Sequence, residues 1–194
     1  MKIEKFERAI ALFDTYNHKD PNRVISDGKT YPAEYFYALQ LYTWVNKLEE
    51  APSEALLLAS RCQHIGRWEV PRESYPEGKA GYLNWRSNLA TYHAQKAEEI
   101  LLGAGYDDET IERVKLIVLK KQIKADEEVQ AIENALCLVF LEFQLEDFIA
   151  EHNDAKVIRI LQKSWAKMSE KGHQAAFRLS FTGRGKELIE KALA

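Results

Sequence analysis

The chain has 194 residues, 46% of them hydrophobic and 29% charged, with only nine Gly and five Pro, a balance that fits a well-packed globular protein and excludes a disordered or fibrous one. Its 27 basic and 30 acidic residues leave a formal charge of −3, too even for general attraction to nucleic acid or anionic lipid, so any anion binding has to be local. The opening MKIEKFERAI breaks its apolar positions with charges and no later stretch reaches the roughly 20 apolar residues of a membrane span, so the expectation is a cytoplasmic protein without export or membrane signal, folded as a single domain over 1–194.

Ile3, Phe6, Ile10 and Phe13 recur at three- and four-residue spacing, which predicts a short amphipathic helix ending near Tyr16. The polar stretch 17–32 is expected to carry turns. Pro32 is placed to open a second helix with Phe36, Leu39, Leu41, Trp44, Val45 and Leu48 on its apolar face. Ser53 can N-cap a third, running through Ile65 and burying Leu56, Leu57, Leu58, Ala59 and Cys62. The segment 66–81, GRWEVPRESYPEGKAG, holds three Gly and two Pro among charges and aromatics, so it is predicted as a long ordered loop. Helices are expected again over 82–102, 107–120, 127–151, 155–168 and 186–193, with Asp107 and Asp108 favouring a helix start. No strand pattern, internal repeat or low-complexity tract is legible, and the fold class is all-α. Cys62 and Cys137 sit in apolar helical patterns, which predicts two buried thiols and no disulfide.

Chemistry concentrates between Arg61 and His93, where Arg61, Gln63, His64, Arg67, Trp68, Arg72, Tyr75, Tyr82, Trp85, Arg86 and His93 crowd together. In one reading the loop folds over a concave site, with arginines contacting an anion and a Trp or Tyr stacking on a planar group. In the other, the tryptophans anchor the loop to the core while the arginines are solvated or bridge carbonyls. Glu133 and Asn134 either complete a polar centre or form the exposed stripe of their helix. Lys120 and Lys121 suit a helix C-terminus, unless they face the same pocket.

The segments RCQHIGRWEVPRESYP, GYLNWR, YHAQKAEEIL and ENALCLVFLE resemble those of an uncharacterised bacterial and fungal family, domain-of-unknown-function family 4202, over nearly the whole chain. Some of its members carry a glutamyl-tRNA synthetase label, which this chain does not support, because it shows no Rossmann-type βα pattern and no synthetase nucleotide signature. In the order of its helices the chain also resembles HD-type phosphohydrolases, which hold a divalent metal with a His, a His–Asp pair and a distant Asp. Here Tyr37 or Gln40 falls near the first His, Gln63 and His64 replace the His–Asp pair, and Asn134 stands where the last Asp is expected. Without those carboxylates the metal site is not inherited intact, so the reading favours a metal-free pocket, with a rearranged His64, His93 and Glu133 metal site as the alternative.

The resulting expectation is a divergent HD-like hydrolase acting on a small phosphorylated or nucleotide-like molecule. Arg61, Arg67, Arg72, Arg86 and Lys121 would bind the anion, with Trp68, Tyr82, Trp85 and Glu133 lining the pocket. His64 and His93, with Gln63, would handle the proton. The alternatives are a ligand-binding or regulatory domain without turnover, and a structural protein whose helices after Glu127 meet a partner or a second copy of the chain.

Overall fold

A computed structural model describes residues 2–194, and helices make up almost all of the regular structure. The chain forms two compact units: the segment up to Thr43 with Ala51–Lys121, and Trp44–Glu50 with Gln122–Ala194. No described helix is long and apolar enough to cross a membrane.

The first unit contains α1 (Lys2–Asn17), a hairpin of β1 (Arg23–Ser26) and β2 (Lys29–Pro32), α2 (Ala33–Leu48, as far as Thr43), α3 (Glu54–Cys62), α4 (Gly78–Ala104) and α5 (Asp108–Val118). α3 packs on α1 and α5, and α4 packs on the same two helices. Phe13, Leu56, Leu58, Ile65, Leu101, Ile111 and Ile117 fill this core. Ser53 caps α3 as expected, its Oγ accepting from the Leu56 amide at 3.1 Å. Asp107 caps α5 through the Thr110 amide at 2.8 Å, satisfying a donor that the helix itself leaves open.

Three expectations for this unit need correction. The stretch expected to hold only turns contains the hairpin, closed by Asp27 and Gly28 at φ 50° and 72°, the two left-handed residues that a tight two-residue turn requires. α3 stops at Cys62 and not at Ile65. The segment 66–81 holds two short 3-10 turns, Arg67–Glu69 and Arg72–Ser74, and its end is already helical because α4 starts at Gly78.

The second unit holds the last turn of α2, then α6 (Glu127–Phe143), α7 (Leu145–Glu151), α8 (Asp154–Lys167), α9 (Glu170–Ala176) and α10 (Gly183–Leu193). α6 packs on α7, α8 and α9, and α10 on α7 and α8, around Ile132, Leu138, Leu145 and Leu188. The Trp44 indole donates to Glu142 at 2.7 Å, and Lys171 pairs with Glu49 at 2.8 Å. The single helix expected over 127–151 is broken at Gln144, whose φ of −126° and ψ of −15° end α6 and begin α7. α9 and the earlier start of α10, capped by the Thr182 hydroxyl on the Gly185 amide, were not expected. Among the described residues the cysteines form no disulfide, and both are buried, Cys62 in the first unit and Cys137 in the second.

Candidate functional site

Past α3 the chain turns through Gly66, which adopts φ 68° and lies so near α4 that a Cβ there would stand 2.9 Å from the Tyr92 ring. Only glycine combines that backbone with that approach. The turn places the Ile65 carbonyl 2.7 Å from Nδ1 of the buried His93. A carbonyl can only accept, so Nδ1 carries the proton and Nε2 presents its lone pair. That Nε2 is buried and has no hydrogen-bond partner among the described residues. The half-buried His64 ring lies beside it, centroids 5.7 Å apart and planes at 50°.

Burial, reinforced by the positive charges of Arg67 and Lys120, pulls the His93 imidazole down to about 4 against the hydrogen bond to Ile65. Burial likewise drives His64 well below its ordinary range, helped by Arg67, His93, Lys120 and Arg86. Both rings are therefore neutral at pH 7, bases among cations.

The turn that carries Arg67 is clamped by Glu69, whose carboxylate accepts the Tyr16 hydroxyl at 2.8 Å and the Tyr92 hydroxyl on its other oxygen. Trp68 leans against Tyr16 at 5.9 Å. Arg67 lies 5.3 Å over the Trp85 ring, with its Nε 3.7 Å from Glu34 in the first turn of α2. These groups border a cleft of about 390 Å³ lined by Asp20, Glu34, Arg67, Trp68, Arg72 and Trp85. The Glu34 side chain is only 12% exposed. Its carboxyl is pushed up to about 8, chiefly by burial, with Arg67 opposing and Asp20 adding to the rise. The nearby buried Asp20 is fully engaged: it accepts the Glu34 amide at 2.8 Å and both the amide and side-chain nitrogens of Asn22.

The other residues singled out by sequence fall into distinct roles. Arg61 is buried in an ion pair with Asp14 and lies 5.6 Å over Tyr42. Gln63 donates to the Val118 carbonyl at 2.9 Å and leaves its own buried oxygen without a donor among the described residues. Arg72 bridges the Tyr75 and Pro76 carbonyls at 2.9 and 3.0 Å, the loop-anchoring role. Trp85 also anchors the loop, its indole donating to the Val70 carbonyl at 2.9 Å. Arg86 meets the hydroxyl of the exposed Tyr82 at 3.3 Å, and Lys121 is exposed just past α5.

Glu133 and Asn134 belong to the second unit. There the buried Glu133 pairs with Lys167 at 3.0 Å. Asn134 accepts from Gln130 and the Ser169 amide and donates to the Ser169 hydroxyl, which fixes the start of α9. Among the described residues no three His, Cys, Asp or Glu side chains are grouped as a metal ion requires. A larger concavity of about 600 Å³ in the second unit is mainly apolar, walled by Leu161, Trp165, Phe177 and Phe181, so the convergent polar groups lie in the first.

Sequence reasoning found the imidazoles and arginines but missed Glu34, Asp20, Glu69, Tyr16 and Tyr92. A family model described as "Domain of unknown function (DUF4202)" matches residues 7–189. No curated protein and no solved structure matches the chain.

Proposed function

Since the chain belongs to the DUF4202 family, we propose from the geometry of its first unit that it binds a small phosphorylated, nucleotide-like ligand at the His64–His93 pair. The observation that carries this reading is Nε2 of His93: a buried lone pair with no donor among the described residues, next to a second neutral imidazole and within the fields of Arg67, Arg86 and Lys120. Leaving such an acceptor unsatisfied costs about 1–3 kcal/mol. A hydrogen-bond donor relieves it, and the surrounding cations favour one that also brings negative charge. A phosphate monoester with an adjoining hydroxyl meets both needs. A divalent cation can take the lone pair, but the same positive side chains repel its charge, and among the described residues no three ligating side chains are grouped to offset that.

Thermal unfolding with inorganic phosphate, pyrophosphate and AMP tests the reading, since a ligand that prefers the native state raises its melting temperature. Stabilisation is expected and should weaken in Arg86→Ala by about 1.5–3 kcal/mol of binding free energy, the range for a hydrogen bond to a charged group. No stabilisation by any of the three at millimolar concentration would sink the proposal. The hydrolytic reading draws on the neutrality of both rings at pH 7, which leaves them free to accept a proton from water or a substrate hydroxyl once the negative charge of a bound phosphate raises their basicity. Release of phosphate from AMP by the wild type, abolished in His93→Gln while binding persists, would separate a hydrolase from a binder.

A further inference from the structure

The cleft beside Glu34 has a chemistry different from that of the imidazole pair. Its volume of about 390 Å³ lies in the roughly 300–1,000 Å³ range of small-molecule sites. Its charges nearly balance: Asp20, Glu34 and Glu73 face Arg67 and Arg72 across it. Two of these are already committed, Asp20 to the amides of Asn22 and Glu34 and Arg72 to the Tyr75 and Pro76 carbonyls. Glu34 is not. Among the described residues its only partner is the Arg67 Nε at 3.7 Å, beyond hydrogen-bonding distance and too weak to offset the desolvation of a carboxylate that is 12% exposed. The group therefore keeps its proton and offers one donor and one acceptor side by side. One wall of the cleft is Trp68, half-buried. Trp85, also in the wall, is already covered by Arg67 and bonded to Val70.

We infer that this cleft binds the edge of an uncharged planar nitrogen heterocycle of the nucleobase type, stacked on Trp68 and paired through adjacent acceptor and donor atoms with the Glu34 carboxyl. Walls whose charges nearly balance suit an uncharged ring. A protonated carboxyl matches an edge such as adenine N1 and N6, where an acceptor nitrogen sits beside an amino group, and the indole supplies the flat face. Arg67 borders the cleft and also acts on both imidazoles. A nucleotide would use both places at once, and only that last step rests on the phosphate reading.

Adenosine, which carries no phosphate, isolates the cleft, while inorganic phosphate isolates the imidazole pair, so either reading can fail alone. Calorimetry at pH 6.5 is expected to show adenosine binding to the wild type. N6,N6-dimethyladenosine, whose donor is blocked, should bind roughly tenfold more weakly, as expected for the loss of a buried hydrogen bond. Glu34→Gln keeps a donor and an acceptor and should bind at pH 6.5 and at pH 9.5 alike as tightly as the wild type does at pH 6.5. Wild-type affinity should fall roughly tenfold between those pH values as the Glu34 proton leaves. Glu34→Ala should bind roughly tenfold more weakly than wild type at pH 6.5. If adenosine fails to bind, if the dimethylated analogue binds equally well, or if the wild type and Glu34→Gln share one pH profile, the inference is wrong. The analogue and the pH series use folded protein even if Glu34→Ala does not fold.

Discussion

Glu69 illustrates how much of the site depends on a residue that looks incidental. Its carboxylate accepts hydroxyls from α1 and α4 at once, and so fixes the turn on which Arg67 is carried. Burial, with Glu69 close by, holds both phenols above their ordinary range, so they remain donors well into alkaline solution. Glu69→Ala should therefore cost about 1–2 kcal/mol of stability, for two partly exposed hydrogen bonds to a charged acceptor. It should also weaken phosphate binding without touching the ligand. Chemical denaturation and titration of the same variant check both, and unchanged phosphate affinity would detach the clamp from the site. The histidines and arginines were legible because RCQHIGRWEVPR packs so many functional groups into one short run. Glu34 and Glu69 were not legible. An acid in the first turn of a helix reads as a partner of the helix dipole, an acid in a loop reads as solvated, and neither reading contains the distant residues that bury or bind it.

Among the elements, the turn between α3 and α4 does most to shape the site, and Gly66 is its fixed point. Replacement by Ala would force a left-handed conformation on a residue with a side chain and set its Cβ 2.9 Å from the Tyr92 ring. Destabilisation of about 2 kcal/mol or more is expected, measurable as a lower unfolding midpoint with unchanged denaturant dependence. Periodicity and caps located most of the helices, because Ser53 and Asp107 act locally. The Asp27–Gly28 dipeptide is a turn signal, but the flanking RVIS and KTYP are too short to show a strand period by themselves. The break at Gln144 leaves no such trace. The FQL sequence there contains neither Gly nor Pro, and the apolar period runs through it. α9 was missed for a related reason: its start is fixed by Asn134, 35 residues earlier in the chain.

At the scale of the whole molecule the buried groups of the first unit oppose one another in pH. His93 titrates near 4 instead of 6.5 and His64 is also depressed, so their contribution is present above pH 6.5 and is lost as the pH falls towards 4. Glu34 titrates near 8 instead of 4.5, so its contribution is present below 4.5 and is lost as the pH rises towards 8. Each proton is worth about 1.4 kcal/mol per pH unit. Between 4.5 and 6.5 the two imidazoles outweigh the one carboxyl, and above 6.5 only the carboxyl acts. Stability should therefore peak near pH 6.5, and Glu34→Gln should flatten the alkaline side and steepen the acid side, where the carboxyl no longer opposes the imidazoles. Denaturation curves from pH 4.5 to 8.5 test this, and a maximum that stays on the alkaline side of 8 would contradict it.

The placement of one buried thiol in each compact unit makes the molecule its own stopwatch. Burial raises the Cys62 thiol far above its ordinary range, and only a thiolate exposed to solvent reacts quickly with an alkylating reagent. Modification must then wait for each unit to open, and its rate counts those openings. Single-cysteine variants, each followed by mass spectrometry under native conditions, would yield two separate opening free energies from an otherwise unmodified fold. Equal values that respond together to denaturant would mark one cooperative unit, and unequal values would show which half loosens first.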